Sequence, residues 1–81
     1  MSQYEKLVQA VINLESGLRF DELSKVLIKL GYVMEQPRSG SSHYTFRMPG
    51  RQPITIPKHR PIKKVYVEMV ADAIRNHMEE L

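Results

Sequence analysis

The run His43-Tyr44-Thr45-Phe46-Arg47 alternates polar and aromatic residues, and it constrains the fold more than any other stretch of the chain. A period of two sends successive side chains to opposite faces of a strand. Tyr44 and Phe46 therefore face a core, and His43, Thr45 and Arg47 face away from it. Such a strand needs neighbours. One candidate is Tyr32-Val33-Met34-Glu35-Gln36, which ends at Pro37. The other is Pro53-Ile54-Thr55-Ile56-Pro57, with Ile54 and Ile56 inward, Thr55 outward and the prolines at its ends, where a sheet tolerates them. Arg38-Ser39-Gly40-Ser41-Ser42 reads as a polar loop and Pro49-Gly50 as a turn. Links this short predict an antiparallel meander.

Helical periodicity takes over on either side. Ser2-Gln3-Tyr4-Glu5 has the form of a capping box, and Tyr4, Leu7, Val8, Val11, Ile12 and Leu14 follow at helical spacing. This predicts a helix over residues 2–14, stopped by Ser16-Gly17. A second helix carries the stripe Phe20, Leu23, Val26, Leu27 and Leu30, with Asp21 and Glu22 in its first turn and Gly31 as its stop. The last helix runs from residue 62 or 63 to residue 80, with Tyr66, Val70, Ala73, Ile74, His77 and Leu81 inward. The expected order is helix, helix, three strands, helix: one α+β domain over residues 1–81, its helices on one face of the sheet. The other face carries His43, Thr45, Arg47 and Thr55.

Charge is distributed unevenly. Residues 1–35 sum to −1 and residues 67–81 to −3, whereas residues 36–66 hold Arg38, Arg47, Arg51, Lys58, Arg60, Lys63 and Lys64 and no acid. Seven bases without an acid favour a polyanionic partner. No cysteine is present, and His43, His59 and His77 do not fall at metal-ligand spacing, so neither a disulfide nor a metal site is expected. No cofactor is expected. No apolar run reaches the ~20 residues of a membrane span. The first residues are amphipathic and include Glu5, unlike a signal peptide, so a cytoplasmic protein is expected.

Among candidate functional residues His43 is the most informative. An imidazole exchanges protons near neutral pH, and RNA supplies its own nucleophile in the 2′-hydroxyl. A histidine beside that hydroxyl, with cations near the phosphate, could cleave RNA without a metal. The plain structural reading is an exposed strand histidine that hydrogen-bonds Ser41 or Ser42. A nucleophilic serine is disfavoured because no acid lies nearby to orient a Ser–His pair. His59, in the basic loop Lys58-His59-Arg60, suits phosphate binding or proton donation, and equally a packed loop position. The RNA-contacting set is expected to be Arg38, Ser41, Ser42, Arg47, Lys58, His59, Arg60, Lys63 and Lys64. His77 reads as a packing residue.

In order along the chain, Leu30-Gly31-Tyr32, Gly40-Ser41-Ser42-His43-Tyr44-Thr45-Phe46, Ile54-Thr55-Ile56-Pro57-Lys58-His59 and Lys63-Lys64-Val65-Tyr66-Val67 resemble the HicA family of bacterial toxins. The resemblance spans about residues 19–75. It implies a fold like the double-stranded-RNA-binding domain (dsRBD-like), with residues 1–17 as an added helical extension. It also implies an mRNA-cleaving endoribonuclease of a type II toxin–antitoxin pair, with His43 as the catalytic histidine. A HicB-type antitoxin would cover that histidine. The common motif is Gly-Ser-His, and here a second serine intervenes. The first helix has three open uses: packing on the domain, forming a homo-oligomer, or extending the antitoxin interface. Two further functions remain open: a non-catalytic RNA-binding module, and a protein-interaction domain whose basic face meets an acidic partner.

Overall fold

The structure, a computed structural model, describes residues 2–37, 39–58 and 62–79. Its elements follow the order α1 (Gln3–Ile12), α2 (Phe20–Leu30), β1 (Val33–Glu35), β2 (His43–Arg47), β3 (Ile54–Pro57) and α3 (Lys64–Glu79). The three strands form one antiparallel sheet in the order β1-β2-β3, an α+β arrangement.

Register follows from the alternation in β2. Phe46 pairs with Met34 on one side and Ile54 on the other, and Tyr44 pairs with Ile56. Phe46 and Ile56 are wholly buried beneath the helices, while His43 and Arg47 are exposed on the open face. On that face the Thr45 and Thr55 hydroxyls, directly opposite each other, lie 3.0 Å apart and share a hydrogen bond.

Helix ends are set locally. The α1 capping box is complete: Glu5 N–H donates to Ser2 Oγ at 3.1 Å, and Ser2 N–H donates to Glu5 Oε1 at 3.4 Å. At the start of α2 the Glu22 carboxylate accepts the Arg19 N–H at 2.9 Å. Gly31, with φ +114°, ends α2 in the left-handed conformation that glycine adopts without steric cost.

Several boundaries differ from those read off the sequence. The first helix ends at Ile12, two residues early. Leu14, at φ +55°, closes it with bonds from Leu14 N–H to the Val11 carbonyl and from Glu15 N–H to the Ala10 carbonyl. Ser16-Gly17 therefore lies in the following turn and is not the stop. Tyr32 is absent from β1 because its N–H bonds the Leu27 carbonyl, which ties it to the end of α2. Gln36 and Pro53 also fall outside the ladder. The inner stripe of α3 is wider than predicted, adding buried Val67 and Ala71 to Val70, Ala73 and Ile74. Leu81, also placed on that stripe, lies outside the described residues.

The wide stripe has a physical reason. The third helix packs against β3, α2 and α1 together. Of the three uses open to the first helix, packing on the domain is the one observed. Val11 is 0% exposed, and Leu7, Val8, Ala10 and Leu14 pack around the same core. Truncating Val11 removes two fully buried methyl groups. Val11→Ala is expected to cost about 2 kcal/mol in urea unfolding. Val33→Ala, at a position 66% exposed on the sheet, is expected to change stability by less than about 0.5 kcal/mol.

Burial also pushes the Tyr4 and Tyr32 phenols above their ordinary value of 10.0, with the Arg51 charge pulling Tyr32 partly back. Below pH 10.0 both phenols are protonated in folded and unfolded chains, and their contribution is complete. Above it the unfolded chain ionises first and binds fewer protons, so stability falls as pH rises through the folded values. The double variant Tyr4→Phe, Tyr32→Phe should unfold at a higher alkaline midpoint than the parent, measured by circular dichroism.

Candidate nucleic-acid interface

The two ends of the sheet differ in chemistry. At one end lie the start of β2, the close of β3 and the start of α2, because the Phe20 ring stands 4.9 Å from that of Tyr44. At the other end lie residues 48–53 and the close of α3, because Arg51 Nη2 donates to the Asn76 carbonyl at 3.4 Å. The third helix is 16 residues, or about 24 Å, long, so it begins back at the first end. Both α2 and α3 thus begin, with their positive dipole ends, at the end of the sheet where β2 starts.

His43 opens β2, exposed on the open face, with its Cα opposite that of Pro57. Its backbone is held twice over. His43 N–H donates to Ser41 Oγ at 3.1 Å, and the carbonyl of the preceding Ser42 accepts Lys58 N–H at 2.8 Å. The two serines therefore divide the work. Ser41 caps the strand through its hydroxyl, a local motif that Ser and Thr favour at turns. Ser42 extends the ladder through its carbonyl. Gly40, at φ +85°, takes the left-handed turn that brings the loop round. Among the described residues, no hydrogen bond or ion pair engages the imidazole itself.

The cations of the acid-free segment fall into different settings. Arg47 is bonded through Nε to Glu35 Oε1, a partner from the neighbouring strand that lies just outside that segment. The open face is therefore not purely basic, as the charge pattern implies, because strand pairing brings Glu35 onto it. Arg51 is engaged with the end of α3, away from His43. Lys58 turns to the helix side, where its Nζ lies 5.7 Å from the Phe20 ring centroid and 5.8 Å from that of Tyr44. Lys63 and Lys64 are exposed where α3 begins, and the first turn of that helix holds no acid. Arg38, His59 and Arg60 lie outside the described residues. His77 is half-buried in the last turn of α3 and lines a groove with Tyr4, Val8 and Lys29.

Phe20 and Glu35 are the participants that periodicity and charge do not reveal. The apolar stripe of α2 places Phe20 wholly in the core, although it opens that helix and so can reach the site. Glu35 pairs with a residue twelve positions away, and its only local signal is the presence of an acid at the end of a predicted edge strand.

The chain is an α+β domain with an exposed histidine at the head of its central strand and with Lys58, Lys63 and Lys64 exposed. The family model described as HicA toxin of bacterial toxin–antitoxin matches residues 20–75, more than half of the chain, and the protein belongs to that family. The match begins at the first residue of α2 and leaves α1 outside. Comparisons with curated proteins and with solved structures give no match.

The roles of the two serines are separable. Ser41→Ala should cost about 0.5–1 kcal/mol by removing the acceptor for His43 N–H. Ser42→Ala, which keeps the carbonyl, should stay within about 0.5 kcal/mol of the parent. Urea midpoints measure both.

Proposed function

We propose that this toxin is an endoribonuclease that cleaves mRNA in the cytoplasm with His43 as its catalytic residue. In this reading an imidazole nitrogen of His43 takes the proton of a ribose 2′-hydroxyl. The oxygen attacks the adjacent phosphorus and the bond to the 5′-oxygen breaks. That oxygen takes up a proton, leaving a 2′,3′-cyclic phosphate and a 5′-hydroxyl. The nucleophile comes from the substrate, so the route consumes no metal and no cofactor. Cations near the phosphate stabilise the charge that develops on it. Ser41, Ser42, Lys63 and Lys64 stand at the His43 end and would contact RNA there, with Arg38, His59 and Arg60 as further members of the set. Arg47 would contribute less, because Glu35 offsets its charge.

The observation that carries the reading is the position of His43: exposed, at a strand's first residue, with its backbone fixed by Ser41 and by the β2–β3 ladder. The partner would be a HicB-type antitoxin that neutralises the enzyme by covering this imidazole. One observation favours a second reading, a non-catalytic RNA-binding module. General bases are commonly oriented by a third group, and none holds the His43 ring among the described residues.

The two readings separate in one experiment. Labelled mRNA is incubated in chelator with the parent and with His43→Ala, and the fragment ends are identified. Loss of the base should lower cleavage by about 10²–10⁴-fold, leave the fold and RNA binding intact, and abolish growth arrest on expression. Equal cleavage by both proteins, or RNA shifted but never shortened by the parent, would rule out a catalytic His43.

A further inference from the structure

We infer that Lys58, seated on the rings of Phe20 and Tyr44, binds an RNA phosphate on the helix side of the sheet, so that the RNA strand turns over the His43 end of the domain rather than lying along its open face. This rests on the nuclease reading above and adds to it a path for the substrate.

Three features set Lys58 apart from the other cations of the segment. First, its backbone is tied to the residue before His43, through the 2.8 Å bond from its N–H to the Ser42 carbonyl. Strand alternation then sends the two side chains to opposite faces. His43, whose Cα partner is Pro57, is exposed on the open face, and the Lys58 ammonium lies over Phe20 and Tyr44 on the helix side. The two groups therefore straddle the end of one sheet, within reach of neighbouring phosphates of a single strand that bends round it.

Second, its ammonium is placed before any ligand arrives. Phe20 and Tyr44 meet at 4.9 Å with planes tilted by 50°, and Phe20 stands 6.2 Å from the fully buried Phe46. The shelf beneath the ammonium is thus an outward continuation of the core. The faces of both rings attract a cation.

Third, no carboxylate of the described residues pairs with it. Among the described residues no ion pair involves Lys58, although Asp21 and Glu22 sit in the adjacent first turn of α2 and Glu22 is engaged with Arg19 N–H. A cation beside a helix N-terminus is electrostatically disfavoured, and an anion shared between the two would relieve this. An ammonium is a compact point charge, suited to a phosphate oxygen. Arg47, by contrast, lies at the other end of β2 and already has Glu35.

Binding of a mixed-sequence single-stranded RNA oligonucleotide is measured at several salt concentrations, in the His43→Ala background so that the RNA stays whole. Removing one cation that neutralises a phosphate should reduce the slope of log affinity against log salt by about 0.7. Lys58→Ala is expected to show that reduction with its circular dichroism spectrum unchanged, losing only the contact of its ammonium with the two rings. Lys58→Arg should restore the slope, and Arg47→Ala should leave it unchanged. An unchanged slope in Lys58→Ala overturns the seat and leaves the nuclease reading standing. So does a slope reduced by Arg47→Ala but not by Lys58→Ala, which would lay the RNA along the open face. No binding of RNA by any variant, together with no cleavage by the parent, overturns both.

Discussion

The burial of Phe46 is the constraint on which the rest of the structure depends. Its side chain is wholly enclosed beneath the helices, between Met34 and Ile54 of the flanking strands. Strand geometry then leaves no freedom to the residues around it. Arg47, one position away, and His43, three positions away, must face the open side. A slip of one residue in register would expose Phe46 and bury His43 and Arg47 together, a cost of several kcal/mol for the ring alone. The same packing that holds the domain together therefore holds the imidazole in solvent.

A second consequence concerns direction along the sheet. Phe20 meets Tyr44 at one end, and Gly31 approaches Met48 at the other, so α2 runs from the His43 end to the far end. The third helix runs the same way, closed at the far end by Arg51 on the Asn76 carbonyl. An arginine on the last carbonyls of a helix complements its negative end. The basic segment is thus divided by the fold. Arg47 and Arg51 serve structural contacts at the far end, while Lys58, Lys63 and Lys64 stay without carboxylate partners among the described residues at the end where His43 stands.

Features governed by neighbours in the chain can be read directly from residues. The capping box at Ser2 and Glu5, the stop at Gly31, and the inward and outward faces of β2 and β3 depend on short spacings, and they appear as expected. Features governed by what folds against what cannot. The Glu35–Arg47 pair exists only because β1 and β2 align in one register. Val67 and Ala71 are buried because α3 meets helices as well as sheet, which periodicity alone does not reveal. Leu14 falls at the apolar spacing of the first helix, yet it adopts the left-handed turn usually left to glycine. Its side chain stays packed on the core, which offsets that strain. His43 is legible as a candidate from alternation, whereas the separate duties of Ser41 and Ser42 emerge only from the hydrogen bonds themselves.

The place of α1 follows from the same packing. The family match covers α2, the sheet and most of α3, which together resemble a complete two-layer domain. Yet Val11 of α1 is fully buried against that unit, and Tyr4, with Lys29 5.6 Å above its ring, seals the margin. The first helix packs on both α2 and α3, so α3, with Val67, Val70, Ala71, Ala73 and Ile74 buried, is covered by helices as well as by the sheet. The first helix therefore completes the core rather than decorating it. It does so against α2 and α3, and His43, on the open face of the sheet, stays exposed.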